Sequence, residues 1–295
     1  MCYLLSRGAP GLPAATMMWT NASKRHFHLQ PLSAYMPLDR SPWTKEIADH
    51  ESLPWDCPYC TRGHLAICED SLQKGETRDS AEGHEHDAWE PEWIDGRFAC
   101  LLRCSNCTGK IAVAGKYRVE DNRHYDPAIG EVDDSVTILI PLFFSEAPHI
   151  VRLPERTPSK VSDALAASFS LYWHDPDAAA NRIRAAVEAL LTARGVKQTS
   201  GTGRGGRTGR RLTLHQRIEL FAAKAPLLAD KVMAIKWIGN AGSHSRPLDR
   251  EDVLDGLEIM EYALNELYFK QRERVVALAN TINRRRGPRS GRGGS

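Results

Sequence analysis

Two four-residue segments constrain this chain more than anything else in it: Cys57-Pro-Tyr-Cys60 and Cys104-Ser-Asn-Cys107. A two-residue gap lets both thiolates of a tight turn point at one ion. Two such turns brought together supply the four sulfurs of a closed tetrahedral zinc site. The chain carries seven cysteines in all. In a reducing compartment, where disulfides are disfavoured, metal is the default reading of the paired ones. Four thiolates leave no open coordination position, so the expected zinc at Cys57, Cys60, Cys104 and Cys107 is structural.

The sequence around the second pair fits that reading. Residues 97–103 and 110–119 are rich in β-branched and aromatic side chains and are strand-like. Turn, strand, turn, strand is the layout of a zinc ribbon. The separation between the pairs exceeds that of a compact ribbon, and the excess falls in 69–92, a polar, acidic insertion without periodicity. Cys68 and Cys100 either replace a ligand or serve as core residues. Cys100 alternates with Phe98 and Leu102, which favours the core. His84 and His86 sit in the acidic insertion as surface histidines.

At 295 residues the chain has room for about two domains. No apolar run approaches the roughly 20 residues needed to span a bilayer. The longest, 136–144, is strand-sized and interrupted by Pro141. Residues 1–45 lack a basic n-region, and Arg7, Gly8, Pro10, Gly11 and Pro13 break what would be an apolar core. This segment reads as disordered or irregular, the protein as cytoplasmic, and no membrane partner is expected. Charge divides unevenly: 1–150 hold 14 Lys/Arg against 22 Asp/Glu, a net of −8, and 151–295 hold 25 against 15, a net of +10. The second half therefore suits a polyanion better.

Residues 197–211, KQTSGTGRGGRTGRR, imitate a phosphate-binding loop, with Arg207 where lysine belongs. Such loops follow a strand, whereas 177–194 has apolar residues at helical spacing (Ile183, Val187, Leu190, Leu191). Nucleotide hydrolysis is therefore excluded, and 197–211 reads as a flexible basic linker between helices. The segment 284–295 reads as a basic disordered tail.

From about residue 155 to 283 the pattern is helical. Helices are expected from Pro158, over 177–194 after Asp175-Pro176, over 212–225, over 227–242, and from Arg250 to about Ile282 with Asp249 as N-cap. Short connections make this an up-and-down bundle. The expected fold class is thus α+β: a zinc-ribbon β domain over 46–150, followed by an all-α bundle over 155–283. Within 236–245, KWIGNAGSHS, the glycines prolong the stripe Leu228, Val232, Ile235, Gly239, Gly242 and predict close approach of another helix. Lys236, Asn240 and His244 fall at i, i+4 and i+8 along the edge of that stripe.

The order of DPDAAANRIRAAVEALL, a variable linker, LTLHQRIELF, IKWIGNAGSH and a closing helix resembles the family called domain of unknown function 4145. Its Arg-rich helix and Gly-Asn-x-x-x-His signature are matched by Arg184, Glu188, Gly239, Asn240 and His244. That family looks related to the HEPN superfamily of helical domains, many of them dimeric, metal-independent ribonucleases of bacterial defence and stress systems. The resemblance implies a HEPN-like bundle, nucleic acid (RNA above all) or partner proteins as ligands, and a homodimer. It also implies candidate roles: His244 as general acid/base, Asn240 positioning substrate, and Lys236 or Arg246 as the cation. Gly239 stands where the HEPN signature has arginine. Two readings stay open: a non-catalytic binding module and a ribonuclease.

Overall fold

The computed structural model describes residues 38–49, 52–128, 130–132, 134–201, 209–244, 247–268 and 270–287. Its strands and short helices come first: α1 (Ser41–Thr44), β1 (Ile47–Ala48), β2 (Leu65–Ile67), β3 (Gln73–Glu76), α2 (Arg78–Gly83), β4 (Asp95–Cys104), β5 (Lys110–Asp121), β6 (His124–Asp126), β7 (Gly130–Val132) and β8 (Ser135–Phe144). The helices follow: α3 (Ser159–Leu171), α4 (Pro176–Ala193), α5 (Leu214–Ala222), α6 (Pro226–His244), α7 (Arg250–Tyr268) and α8 (Lys270–Arg285). The chain is α+β, an antiparallel sheet followed by helices.

The sheet runs β1-β8-β5-β4-β2, with β3 beside β2 on the same edge of β4. The strongly alternating β4 buries Gly96, Phe98, Cys100, Leu102 and Cys104 and turns Arg97, Ala99 and Arg103 outward. Period-two alternation of this kind marks a strand with one face on the core. In β8 the alternation is re-phased. Ala114 pairs with Phe143 but Gly115 pairs with Pro141, so Leu142 is the extra residue of a bulge. Leu139 and Pro141 point inward before it and Phe144 after it. A proline is tolerated here because β1 pairs only with Ile138 and Leu139, leaving Pro141 no ladder partner on that side.

The 69–92 insertion is ordered more than its composition suggests. It contains β3, paired with β4, and α2, capped by Thr77. All four residues of β3 are exposed, so no alternation betrays the strand in the sequence. Residues 1–37 lie outside the described residues. The irregular assignment of 1–45 is corrected for its last part: 38–45 include α1, whose Trp43 is buried. Arg40, just before α1, bonds three carboxylates of α7: Glu251 (2.8 Å), Asp255 (2.6 Å) and Glu258 (2.8 Å).

In the helical region α4 is central, packing on α3, α6 and α7. Asp175 caps it, accepting from the N–H of Ala178 at 2.9 Å, with Pro176 in the first turn. A capping box of Thr213 and Gln216 starts α5. Asp249 caps α7 as expected, accepting from the N–H of Asp252 at 3.0 Å. The single helix expected from Arg250 to about Ile282 is described as two spans, α7 and α8, with residue 269 between them outside the described residues. The ends of the basic linker are tied: Thr199 bridges Arg211, and the N–H of Ser200 donates to the Arg210 carbonyl at 2.9 Å. Its centre, 202–208, lies outside the described residues.

One hydrophobic core serves both regions. At the junction Trp173 meets Trp55 at 5.2 Å, Phe144 at 4.8 Å and Trp43 at 6.2 Å between ring centres. Edge and tilted contacts between aromatic rings add to their area burial. Among the described residues no helix is long and apolar enough to cross a membrane.

Candidate metal centre and the α6 face

The chain brings the two cysteine pairs together by pairing β2 with the end of β4, where Leu65 lies opposite Cys104. Each turn is closed by its own backbone. The N–H of Cys57 donates to the Gly63 carbonyl at 2.8 Å, and that of Cys104 donates to the Gly109 carbonyl at 3.0 Å. The turns are also tied to each other, since the N–H of His64 donates to Ser105 Oγ and that of Ser105 donates to the His64 carbonyl, both at 3.0 Å. The sulfurs of Cys57, Cys60, Cys104 and Cys107 all lie within 4.8 Å of one another. Cys57 and Cys107 are 3.7 Å apart, Cys60 and Cys104 3.6 Å. A tetrahedron with metal–sulfur bonds of about 2.3 Å has edges of roughly 3.8 Å. All four cysteines are free.

Side-chain volume is restricted around the cluster. A Cβ on Gly63 would collide with the Cys104 sulfur and come within 2.7 Å of the Asn106 backbone nitrogen. One on Gly109 would stand 2.9 Å from the Tyr59 ring. The residue following each pair, Thr61 (φ 53°) and Thr108 (φ 58°), adopts the left-handed conformation. Backbone N–H groups point at sulfur: those of Asn106 and Cys107 lie 3.3 and 3.4 Å from Cys104 Sγ.

These donors hold the Cys104 thiol below its ordinary range, led by the Cys107 N–H. The Arg62 N–H, followed by the Asn106 amide, draws Cys60 down to about 6. Burial instead pushes Cys57 up to about 12. A bound cation reverses that last effect, because coordination deprotonates a thiol outright. The donor set fits a single thiophilic cation in closed, tetrahedral coordination.

The remaining metal-type residues stay apart. Cys100 is a core residue, 6% exposed, and burial pushes its thiol up to about 11. His84 lies 2.8 Å from Glu76 and stacks on Trp89 at 4.2 Å, while His86 contacts the Trp93 ring. Neither histidine joins the sulfur cluster.

On α6 the apolar stripe is realised as far as Gly239: Val232, Ile235 and Gly239 are buried and Leu228 is half-buried, while the surroundings of Gly242, its predicted last member, lie outside the described residues. The glycine at 239 serves the close crossing its position predicts. A Cβ there would meet Arg184 Cβ and Cδ, each at 3.2 Å, and the Ala180 carbonyl at 3.5 Å, all on α4. Gly256 of α7 plays the same part toward Ile183, at 3.2 Å. The helix face that carries Arg184 and Glu188, 4.0 Å apart, therefore lies on Gly239.

Of the predicted trio, Lys236 and Asn240 are half-buried on α6. His244 is the last residue of that helix, but its side chain lies outside the described residues, as does Arg246. The Lys236 ammonium stands 3.4 Å from the ring centre of its neighbour Trp237, which is 57% exposed. His215 of α5 meets the same ring at 6.3 Å. Trp237 is an exposed aromatic that the sequence pattern does not single out, although its place off the apolar stripe is a signal that it faces solvent.

Residues 166–285 match the family model described as Domain of unknown function (DUF4145), and residues 45–144 match the one described as Domain of unknown function (DUF8608). The first match covers most of the helical region, in agreement with the resemblance carried by IKWIGNAGSH. The second covers the sheet and the four cysteines, under a description that names no zinc ribbon. No curated protein and no solved structure matches.

Proposed function

We propose that the protein is a zinc-held module that binds nucleic acid, RNA foremost, without cutting it. The donor set supports zinc as the ion, since four thiolates at tetrahedral spacing suit it and leave no position for a reacting water. The observation that carries binding is the exposed Trp237 with Lys236 on its ring and His215 at its edge. An exposed aromatic face beside a cation offers a base a stacking surface and a phosphate its counter-charge. The HEPN resemblance supports placing such a module, as a homodimer, in a bacterial defence or stress system.

The test is binding of a short single-stranded RNA, followed by fluorescence anisotropy at two salt concentrations. Trp237→Ala is expected to weaken it by about 5- to 100-fold, the equivalent of roughly 1–3 kcal/mol per stacked base. Equal binding by wild type and variant, or none by either at low salt, would sink the proposal.

A second reading has its own support in Arg184. The aliphatic stem of this α4 residue packs on Gly239, where α6 itself lacks the arginine of the HEPN signature, and its guanidinium lies 4.0 Å from Glu188. A ribonuclease would then use His244 as general acid/base, Asn240 to position RNA, and Arg184 or Lys236 to stabilise the developing charge. RNA cleavage by the wild type that disappears in His244→Ala would favour this reading; no cleavage by the wild type would leave the binding module.

A further inference from the structure

The outward face of β4 and β5 carries a charge pattern that neither the metal centre nor the helices explain. Along β4 it presents Arg97, Ala99, Leu101 and Arg103, and along β5 Lys110, Ala112, Ala114 and Lys116. The register sets Arg97 directly opposite Lys116 and Arg103 directly opposite Lys110. Like charges facing each other across a ladder cost stability. Here both pairs are cationic and all four residues are exposed. Arg97 leans on Asp95 at 3.1 Å, while Arg103, Lys110 and Lys116 have no carboxylate partner among the described residues.

Between the two cationic rows lies a shelf of small side chains. Ala99 faces Ala114, and Leu101 faces Ala112. Next to Ala114 across β8 stands Phe143, 54% exposed and turned outward by the bulge at Leu142. The rows are six residues apart, roughly 20 Å at about 3.3–3.4 Å per residue. The opposite face of the same strands is core, with Phe98, Leu102, Ile111 and Val113 buried. The negative net charge of 1–150 conceals this, because nine of its 22 carboxylates fall in 69–92.

We infer that this face is a docking surface for single-stranded nucleic acid, separate from Trp237. The strand crosses the sheet with its phosphates between the Arg103/Lys110 and Arg97/Lys116 rows, and an unstacked base lies on Phe143. The alanine shelf lets the sugar–phosphate chain approach the sheet closely. A duplex keeps its bases stacked inside and cannot use Phe143, and a peptide of acidic residues alone has no flat ring to place there. The inference rests on the nucleic-acid reading for its ligand class but on a different surface for its geometry.

The experiment compares the full-length protein with three variants, Lys110→Ala/Lys116→Ala, Phe143→Ala and Trp237→Ala, each checked for wild-type zinc content and circular dichroism. Binding of a short single-stranded RNA is titrated over a range of salt. The double lysine variant is expected to bind about tenfold or more weakly and to lower the salt slope by about 1.4, that is 0.7 for each phosphate it no longer neutralises. Phe143→Ala is expected to bind about fivefold or more weakly with the slope unchanged. Wild-type binding by both sheet variants while Trp237→Ala fails overturns this inference and leaves the proposed function standing. Equal affinity for a polyglutamate peptide, untouched by Phe143→Ala, overturns it in favour of an acidic protein partner. Absence of any RNA binding by the wild type overturns both.

Discussion

Arg184 of α4 lies across Gly239 of α6, close enough that a single added Cβ would stand 3.2 Å from two of its carbons. Position 239 is therefore a close helix crossing. An arginine at 239 has no route to solvent without separating the helices. Gly239→Arg is expected to destabilise the fold by about 3 kcal/mol or more through overpacking. Gly239→Ala sets that crowding against a helix-propensity gain of about 1 kcal/mol, and its net effect stays within roughly that size. Denaturant unfolding of the two variants separates the cases; a well-folded Gly239→Arg protein would contradict the close crossing.

The sulfur cluster makes a second prediction. Elemental analysis should find one zinc per chain, and cobalt substitution should give the absorption of a tetrathiolate site. Cys104→Ser should lose the metal. Chelation should lower the melting temperature without unfolding the helices, because the core around Leu165, Ile183, Leu190, Leu257 and Met260 is buried independently of the thiols. Wild-type thermal stability after complete metal removal would show that the turns hold themselves.

Much of this was legible in the sequence because the signals are local. C-x2-C fixes its own turn geometry, Asp175 and Asp249 cap helices that start at the next residue, and Gly239 continues a stripe read at helical spacing. What escaped was non-local. The bulge at Leu142 exists only in the pairing of β8 with β5. The β3 strand is exposed on every residue, and Arg40 finds its three carboxylates more than 200 positions away. The joining of sheet and helices through Trp43, Trp55, Phe144 and Trp173 depends on four residues from separate segments, none of which marks a partner by periodicity.

Arg40 ties the segment before the sheet to α7. Its guanidinium bonds Glu251, Asp255 and Glu258, and these carboxylates, Glu258 first, raise its pKa. Removing the cation leaves three acidic groups along one face of α7. Arg40→Ala should cost about 1–3 kcal/mol, with part of the loss recovered in high salt as the carboxylates are screened. Arg40→Lys should rescue poorly, because a single ammonium cannot reach three partners in a planar fork. Full rescue by lysine would reduce the interaction to simple charge.

Glu261 supplies a pH-dependent prediction. Burial raises its pKa above the ordinary carboxylate value, although the Arg152 N–H donates to it at 3.0 Å. The folded state then holds this proton more tightly than the unfolded chain does. The associated stability is fully present below the unfolded pKa of about 4.5 and is lost as pH rises through the folded value. Glu261→Gln keeps an acceptor for Arg152 and removes the titration. Relative to wild type the variant should gain stability between about pH 4 and pH 7. A constant difference across that range would show that Glu261 titrates alike in both states.

Thr61 and Thr108 occupy equivalent places, each following the second cysteine of its pair with φ near +55°. A β-branched residue in the left-handed region is strained, by roughly 1–2 kcal/mol, and glycine is not. Thr61 recovers part of this through its hydroxyl, which donates to the Cys60 carbonyl at 2.8 Å, whereas Thr108 makes no such bond among the described residues. Thr108→Gly should therefore stabilise the metal-bound protein by about 1 kcal/mol, and Thr61→Gly by less. Chelator titrations give the readout: the glycine variants should hold zinc to higher chelator concentrations, Thr108→Gly furthest. If Thr108→Gly releases the metal earlier than wild type, the left-handed turn is not a source of strain, and the threonine methyl contributes packing to the cluster instead.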